Sequence, residues 1–424
     1  MNHQFEISAS YKKWTWGLIG VGVVALLYGF IMYHPFAPVA HGGGHDAHHA
    51  ASDSTRFWAV LLQNSAYWLL VVNASMFFIC VTTMAMGGWQ IALRRVPEAI
   101  SSVVPVLGII TFLVLMAIIW GGRTDIYHWL DNEAVKNDPI LNGKSGFLNP
   151  TFYTIWSAVS ILMWWLLGRK MRSLSLRSDK DGQMDYETGK KWIFKNTVWA
   201  SLYCVFFGLS VASTIPWLWL MSIDAHWYST MYSWYTFAST FVSGMSLVAI
   251  YIVYLKNKGK LEYVTEEHLH DVGKFMFAFS VFWTYLWFSQ YMLIWYSNQP
   301  EETKYFVERI GTADKSGPYH FIFFVNLILN FLCPLLILMK RGAKRSWSLL
   351  VFMGVLIIVG HWIDFYQMVM PGTVKGHPKM YFFELGVPAL FIGIIMLVVG
   401  KYLSTNSLVM KNHPFIKESM IHHT

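Results

Sequence analysis

Residues 347–370 read WSLLVFMGVLIIVGHWIDFYQMVM, a run of 24 residues in which Asp364 is the only carboxylate and no Lys or Arg occurs. About 20 predominantly apolar residues are enough for a helix to cross the hydrocarbon core of a bilayer. The run therefore predicts a membrane-spanning helix. It also contains His361 and Gln367, so three polar side chains lie where they are costly to keep and where a functional role is the default expectation.

Further segments share this length and apolar character. Together with Trp347–Met370 they predict an all-α integral membrane protein with ten transmembrane helices. The other nine segments are Trp14–Tyr33, Phe57–Met86, Glu98–Trp120, Asn149–Gly168, Trp192–Ser213, Met231–Leu255, Val272–Ser297, Pro318–Met339 and Met380–Leu403.

The composition agrees with a membrane location. Apolar residues make up 55% of the 424 residues and charged residues only 13%. Globular domains carry about 25% charged residues, so this chain has too few to cover a water-facing surface. A soluble enzyme and a disordered chain are both excluded. The net charge of +8 indicates basic loops on one side of a membrane and not a nucleic-acid surface.

The three cysteines, Cys80, Cys204 and Cys333, each lie inside an apolar run, and the sequence contains no CxxC or CxxCH motif. We therefore expect no covalent haem, no cysteine-ligated cluster and no disulfide in this chain, and we interpret the cysteines as packing thiols. A bis-histidine haem site is not expected either, because only His361 lies deep in a span.

Lysine and arginine residues are unevenly divided between the two sides of the predicted spans. Twenty-one lie in the terminal segments and in the loops on their side, and nine lie in the loops of the opposite side. Cytoplasmic loops carry the excess of Lys and Arg, so both termini are predicted to be cytoplasmic. The first span is too long for the apolar region of a typical signal peptide, which favours an uncleaved anchor.

The spans divide into groups. Spans two to five, residues 57–213, and spans six to nine, residues 231–370, are predicted to form two four-helix bundles within a single polytopic domain of residues 1–424. The helices 14–33 and 380–403 flank them. The two bundles are either a parallel internal repeat or merely alike in composition, since all spans share an apolar character. None of the outer loops is long enough for a domain, so a redox cofactor or catalytic domain is expected in other chains.

The clearest polar group in the membrane comprises His361, Asp364 and Glu384. The i, i+3 spacing places His361 and Asp364 on one helix face, and Glu384 is predicted at a similar depth in the last span. A histidine beside a carboxylate can pass protons, which predicts a proton-conducting cluster. The alternative is an internal ion pair that fixes helix packing.

Two further groups lie near the outer side. Gln63, Asn64, Tyr67 and Trp68 combine amides with large aromatic rings, which suits a quinone headgroup. The alternative is hydrogen bonding between helices. Asp224 and His226, beside several Trp residues, predict either a proton exit or a solvated loop.

An exposed tract, His41–Ala50, contains four histidines among glycines and resembles a metal-binding tract. Its composition favours a flexible outer loop instead. No metal site is predicted elsewhere in the chain.

Five stretches together resemble a known family. They are Asp125–Asp131 (DIYHWLD), Pro139–Tyr153 (PILNGKSGFLNPTFY), Ile223–Thr236 (IDAHWYSTMYSWYT), Phe282–Thr303 (FWTYLWFSQYMLIWYSNQPEET) and His361–Tyr366 (HWIDFY). With the ten spans, they resemble the polysulfide-reductase-type (NrfD-like) quinol-interacting membrane subunits. Within that family the chain is most similar to the ActF type, the smaller of two such subunits in bacterial alternative complex III, a quinol:cytochrome c oxidoreductase.

This resemblance implies a cofactor-free, multi-pass subunit of the respiratory chain in the bacterial inner membrane. The implied partners are a larger NrfD-like sister subunit, a periplasmic iron–sulfur protein, multihaem and monohaem cytochromes c, and in some assemblies a terminal oxidase. Haem c and iron–sulfur clusters would belong to those partners, and the assembly would oxidise menaquinol and move protons.

The family's quinol site uses polar residues near the outer end of the first helix of a bundle, often with a histidine or an aspartate. The matching positions here hold Gln63, Asn64 and Tyr67, with neither. Two alternatives follow: a quinol site in this chain, or a site in the sister subunit. In the second case this chain would be a structural half with a proton path through Asp224, His226, His361, Asp364 and Glu384.

Two other functions stay open on the residues alone. A secondary transporter would break helices with Gly or Pro near the midplane in corresponding positions of its halves. The prolines inside spans are few, at Pro105, Pro334 and Pro388, and no paired interruption recurs. An inert membrane scaffold of a redox complex would keep the same polar groups without using them.

Overall fold

The protein is built from long helices. The structure, a computed structural model, describes residues 5–36, 53–180, 182–312, 314–376, 378, 380–410 and 412–423. In this part of the chain the only β pairing is an isolated bridge between Gly311 and Ser316. Nine helices among the described residues are long and apolar enough to cross a membrane, so the chain is an all-α, multi-pass membrane protein. The tract His41–Ala50 lies outside the described residues.

We number the long helices in chain order. The first five are α1 (Ala9–Tyr33), α2 (Asp53–Met84), α3 (Arg95–Trp120, with a break after Ser101), α4 (Pro150–Lys180) and α5 (Tyr186–Trp219). The second five are α6 (Met231–Asn257), α7 (Glu266–Ser297), α8 (His320–Leu338), α9 (Trp347–Thr373) and α10 (Phe382–Thr405).

The helix α7 covers the predicted span Val272–Ser297, but its sequence is less apolar than that of the nine helices counted above, and it is not one of them. Its 32 residues are more than enough to cross a bilayer. Many of its apolar positions hold Trp or Tyr, such as Trp283, Tyr285, Trp287 and Tyr291. These side chains combine an apolar body with a polar tip, which lowers the mean hydropathy of the helix.

Several helices extend beyond the predicted spans or are interrupted. The helix α4 continues to Lys180, well past the predicted end at Gly168, because its basic last turns remain helical outside the apolar run. The helices α5 and α8 contain π-helical turns at Ser210–Thr214 and Ile328–Leu332. A short helix, Pro300–Ile310, follows α7 and packs against it and against α8 and α9. We call it the outer helix, after the side that the distribution of Lys and Arg predicts for its segment.

The helices make two closed sets of contacts. The helices α2, α3, α4 and α5 contact one another in a ring, and α6, α7, α8 and α9 form a second ring. The rings meet along α2 and α6, which are the most deeply buried of the nine apolar helices. In addition, α2 contacts α9, and α6 contacts the π-helical turn of α5.

The first and last helices form an antiparallel pair. Gly22 of α1 lies against Leu390 of α10, and Gly393 of α10 lies against Ile19 of α1. Near the chain ends, the Tyr11 hydroxyl donates to the Met396 carbonyl oxygen (2.6 Å). The N-terminal end of α1 and the C-terminal end of α10 therefore lie at the same end of the helices.

Candidate functional site

Asp364 lies at the centre of the second ring, and all four helices contribute to its surroundings. It is carried by α9 and has no exposed surface. Its Oδ1 accepts hydrogen bonds from the hydroxyl of Tyr235 on α6 and from Nδ2 of Asn326 on α8 (2.9 Å). Its Oδ2 accepts from Nε1 of Trp283 on α7 (3.0 Å). Three neutral donors stabilise a buried carboxylate charge without a basic side chain among them.

His361 lies one turn before Asp364 and is also fully buried. Its Nδ1 is 2.9 Å from the Ser239 hydroxyl and 3.8 Å from Oδ2 of Asp364. Its Nε2 has no hydrogen-bond partner among the described residues. A buried ring nitrogen without a partner is costly, and it is a position at which a proton or a water molecule can be accepted.

The π-helical turn of α8 places a second amide beside this site. Asn330 lies in that turn, and its Nδ2 donates to Oδ1 of Asn326 (2.5 Å). Its own Oδ1 has no partner among the described residues and lies so close to Gly360 that a side chain there would collide with it. Such π-helical turns are frequent at functional sites. The amides of Asn326 and Asn330 thus form a hydrogen-bonded chain that ends on Asp364.

A small cavity adjoins Asp364 on the side of the outer helix. It has a volume of about 20 Å³, and its walls include Gln290, Tyr305, Arg309 and Gln367. One water molecule needs at least about 10–15 Å³ of such space and two or more polar partners, so the cavity can hold one. The cavity lies between the Asp364 carboxylate and the outer helix, because both contribute to its walls.

Arg309 of the outer helix is a buried cation at this cavity, with 2% of its surface exposed. Its Nε and Nη2 donate to the Gln367 carbonyl oxygen (3.2 and 3.1 Å), and Nη1 donates to the Tyr305 carbonyl oxygen (2.7 Å). Its guanidinium carbon lies 3.4 Å from the centre of the Tyr305 ring. Arg309 therefore fixes the outer helix to α9 one turn beyond Asp364.

A second cavity, of about 110 Å³, lies beyond Tyr305 and is acidic. Its walls include Asp224, Glu301, Glu308 and His226, and Tyr305 lines both cavities. Burial, and to a smaller extent Asp224, raises the pKa of Glu308. Burial also raises the pKa of Tyr305 to about 12, so its hydroxyl remains protonated at neutral pH. The cavity can hold several water molecules between carboxylates and the outer surface.

His226 binds a partner that the sequence did not indicate. Its Nε2 lies 2.5 Å from Oδ2 of Asp138, and about half of its side chain is exposed. The hydrogen bond from His226 lowers the pKa of Asp138. Asp224 and His226 line one cavity, but the hydrogen bond of His226 is to Asp138 and not to Asp224.

Glu384 lies apart from His361 and Asp364, contrary to the cluster of three expected from depth. Its Oε1 is 2.9 Å from Nη1 of Arg56 on α2, and its Oε2 accepts from the Tyr381 backbone N–H (2.9 Å). Arg56 and Glu384 are both buried. Glu384 thus caps α10 and forms an interhelical ion pair, which depth alone could not reveal.

Three of the four side chains considered for a quinone are engaged with the protein. Nε2 of Gln63 donates to the Trp362 carbonyl oxygen (3.1 Å), and Oδ1 of Asn64 accepts from Trp362 Nε1 (2.9 Å). The Tyr67 hydroxyl donates to the Ile358 carbonyl oxygen (2.8 Å). These contacts join α2 to α9. The indole N–H of Trp68 and the Oε1 atom of Gln63 have no hydrogen-bond partner among the described residues.

Charged residues are also buried at the end of the helices where the termini lie. Glu98 accepts from Arg94 Nε (3.1 Å) and from Arg95 Nη1 (3.0 Å). Arg95 also pairs with Asp179, and Arg172 donates to the Ser101 hydroxyl (2.9 Å). The sequence alone places these arginines in loops, whereas Arg95 and Arg172 join α3 to α4.

No protein-family model and no curated protein matches the chain. In the part of the chain that the structure describes, no group of three or more His, Cys, Asp or Glu side chains could hold a metal ion.

The spacing of His361 and Asp364 predicts that the two lie together, but it does not identify Tyr235, Trp283, Tyr305 or Arg309 as their surroundings. Tyr and Trp occur throughout the spans, so no pattern distinguishes these from the others. Arg309 was counted as a loop residue. The sequence does contain one indication that residues 300–310 form a packed helix. The outer helix is strongly amphipathic, with an apolar face and a charged face.

Proposed function

We propose that this chain conducts protons along the outer half of its second ring, between Asp364 and the acidic cavity at Asp224 and Glu308. The observation that carries this proposal is a fully buried carboxylate that adjoins a cavity of water size. Ionisable groups inside a membrane protein are expensive and usually mark ion or proton routes.

The order of groups supports a stepwise transfer. Asp364 can release a proton to water in the small cavity, and Tyr305 separates this cavity from the larger one. Glu308 is suited to accept the proton because its raised pKa lies closer to neutral pH than that of an exposed glutamate. Asp224 and His226 line the same cavity as Glu308, and about half of the His226 side chain is exposed.

The positive charge of Arg309 has a defined role in this route. It lies in the wall of the cavity between Asp364 and Tyr305. A fixed cation beside the route disfavours the passage of metal cations. The route would therefore carry protons and not sodium or potassium.

We further propose that the chain works in a bacterial inner-membrane assembly of the type that its sequence resembles, a quinol:cytochrome c oxidoreductase of the respiratory chain. In such an assembly the larger sister subunit would hold the quinol site. The contacts of Gln63, Asn64 and Tyr67 with α9 support a structural role for this face of α2. The iron–sulfur protein and the cytochromes c would supply the redox groups.

The assembly is tested by purification through an affinity tag on this chain in a mild detergent. The expected result is a c-type reduced-minus-oxidised spectrum in stoichiometric amount, together with several co-purifying chains identified by mass. The sequence has no CxxCH motif, so that signal must come from partners. A colourless, single-chain preparation would contradict the redox assembly and would favour a secondary transporter.

A further inference from the structure

A long apolar groove separates the pair α1/α10 from the second ring. Its volume is about 510 Å³, within the range of small-molecule sites. Its walls are almost entirely apolar and come from five helices. They include Leu247 and Ile250 on α6, Val355 and Val359 on α9, and Ile392 on α10.

The groove has one polar end and one apolar end. Lys258, Ser8 and Ser10 lie at the end where the chain termini lie, and Lys258 is the only charged side chain in the walls. Trp68, near the middle of α2, lies in the wall toward the other end. Leu247 and Lys258 are separated by about 16 Å along α6 at 1.5 Å per residue. This length is close to half of the roughly 30 Å hydrocarbon thickness.

We propose that this groove binds one acyl chain of an anionic phospholipid from the leaflet on the side of the termini. The apolar walls accommodate the hydrocarbon over the depth of one leaflet. The phosphate lies beside the Lys258 ammonium group, with the hydroxyls of Ser8 and Ser10 as additional donors. A basic side chain at the membrane surface attracts anionic lipids.

The bound lipid would join two parts of the protein. Across the groove, the Tyr11 and Tyr251 hydroxyls are 3.3 Å apart, and Phe5 and Tyr254 are in edge contact. Apart from these aromatic contacts near the termini, the groove separates α1 and α10 from α6 and α9. An acyl chain supplies the apolar surface that these helices lack, so the lipid acts as a structural component.

The main competitor is a prenylquinone, whose isoprenoid tail also fits the apolar walls. The two ligands are distinguished by chemical analysis of what the purified protein retains.

The test is lipid analysis of the protein, with all its partners, after extensive washing in a mild detergent. We expect about one anionic phospholipid per chain to be retained. Val359→Trp fills the groove and should reduce retention severalfold, whereas Val205→Trp, the same change at an exposed position of α5 outside the groove, should not. Val355→Trp serves as a second filling variant if Val359→Trp does not assemble.

The headgroup is tested separately. Lys258→Gln should reduce the preference for anionic over zwitterionic phospholipid about fivefold, the factor expected for one lysine at a membrane surface. Lys191→Gln, an exposed lysine outside the groove, should leave the preference unchanged. Equal retention in Val359→Trp and Val205→Trp, a retained quinone in place of phospholipid, or an unchanged preference in Lys258→Gln would each overturn the proposal. Asp364→Asn should not affect lipid retention, so this outcome is independent of the proton path.

Discussion

Asp364 and Glu384 are both buried acids, yet their surroundings differ in kind. Asp364 accepts hydrogen bonds from three neutral donors, whereas Glu384 pairs with the guanidinium of Arg56. An acid with neutral donors can exchange a proton without disrupting an ion pair. Glu384 instead joins α2 to α10 through its ion pair with Arg56, so the proposed proton route runs through Asp364 and not through Glu384.

We expect Glu384→Gln to destabilise the protein. The substitution removes the carboxylate that Arg56 binds, and breaking a buried ion pair costs about 3–5 kcal/mol. Thermal unfolding of the purified protein measures the effect, with Glu187→Gln at an exposed position of α5 as the control. Equal unfolding temperatures for the two variants would show that the Arg56–Glu384 pair does not hold α2 and α10 together.

Tyr305→Phe tests the connection between the two cavities. The variant loses the hydroxyl but keeps the ring that stacks on Trp227 at 4.1 Å and lies under Arg309. We expect proton release on the outer side to slow severalfold, with stability unchanged. A pH-sensitive dye outside proteoliposomes reports the rate, and Tyr296→Phe, at a highly exposed position, is the control. A rate equal to that of the control would place the route elsewhere.

At the scale of residues, the sequence predicts which polar side chains are buried in the membrane more readily than it predicts their hydrogen-bond partners. The spacing of His361 and Asp364 indicated a shared helix face, and both are buried side by side. The partners Tyr235, Trp283 and Asn326 come from three other helices, and only the packing of those helices decides which side chains meet. Arg56 is the fourth residue of α2, so the sequence does not distinguish it from a charged residue of the preceding loop.

At the scale of elements, the pair α1/α10 shows how glycine positions depend on the partner helix. The helix α1 contains Gly17, Gly20 and Gly22, each of which could allow a neighbouring helix to approach closely, but of the three only Gly22 is in contact with α10. A methyl group at Gly22 would lie 2.6 Å from the Leu390 backbone nitrogen, whereas Gly20 has open space. The helical period places Gly20 on a different face.

We therefore expect alanine to have different effects on stability at Gly22 and at Gly20. Gly22→Ala should separate α1 from α10 and lower the unfolding temperature, because the backbone of Leu390 cannot move aside. Gly20→Ala should be neutral, or stabilising by up to about 1 kcal/mol through helix propensity. Parallel thermal unfolding of both variants provides the comparison, and equal destabilisation by both would contradict the antiparallel pairing.

The sequence predicts which segments form long helices, although α4 ends well beyond the predicted span, and it does not predict the irregular features. Each predicted span coincides with a long helix because about 20 apolar residues have no alternative structure in a bilayer. The break in α3 and the π-helical turns of α5 and α8 depend on local packing and have no sequence signature in a single chain. One of those turns carries Asn330, so its position in the candidate site depends on a feature that the sequence does not reveal.

At the scale of the whole molecule, the two rings meet in a reciprocal way. The first helix of each ring, α2 or α6, contacts the first and the last helix of the other ring. This arrangement is the one expected for two related halves, although the polar groups differ between them. The second ring holds Asp364 at its centre, whereas the first ring holds Asn73, whose Oδ1 accepts from the Tyr203 hydroxyl (2.6 Å).

We expect both termini on the cytoplasmic side. The pairing of α1 with α10 brings the chain ends to one end of the helices, and the excess of Lys and Arg lies on that side. Tags at the two ends should be accessible to protease in inside-out vesicles and protected in right-side-out vesicles. Protection of one tag and cleavage of the other in the same vesicles would contradict the paired arrangement.

The most direct test of the central claim is proton transfer in an Asp364→Asn variant of the assembled protein. Asparagine keeps the size of the side chain but cannot carry a proton from one cavity to the next. In proteoliposomes, we expect electron transfer to continue while proton transfer slows by about 100-fold or more, the contribution typical of a positioned acid or base. An unchanged number of protons per electron, in complexes that assemble normally, would contradict proton conduction through Asp364 and leave the chain as a scaffold.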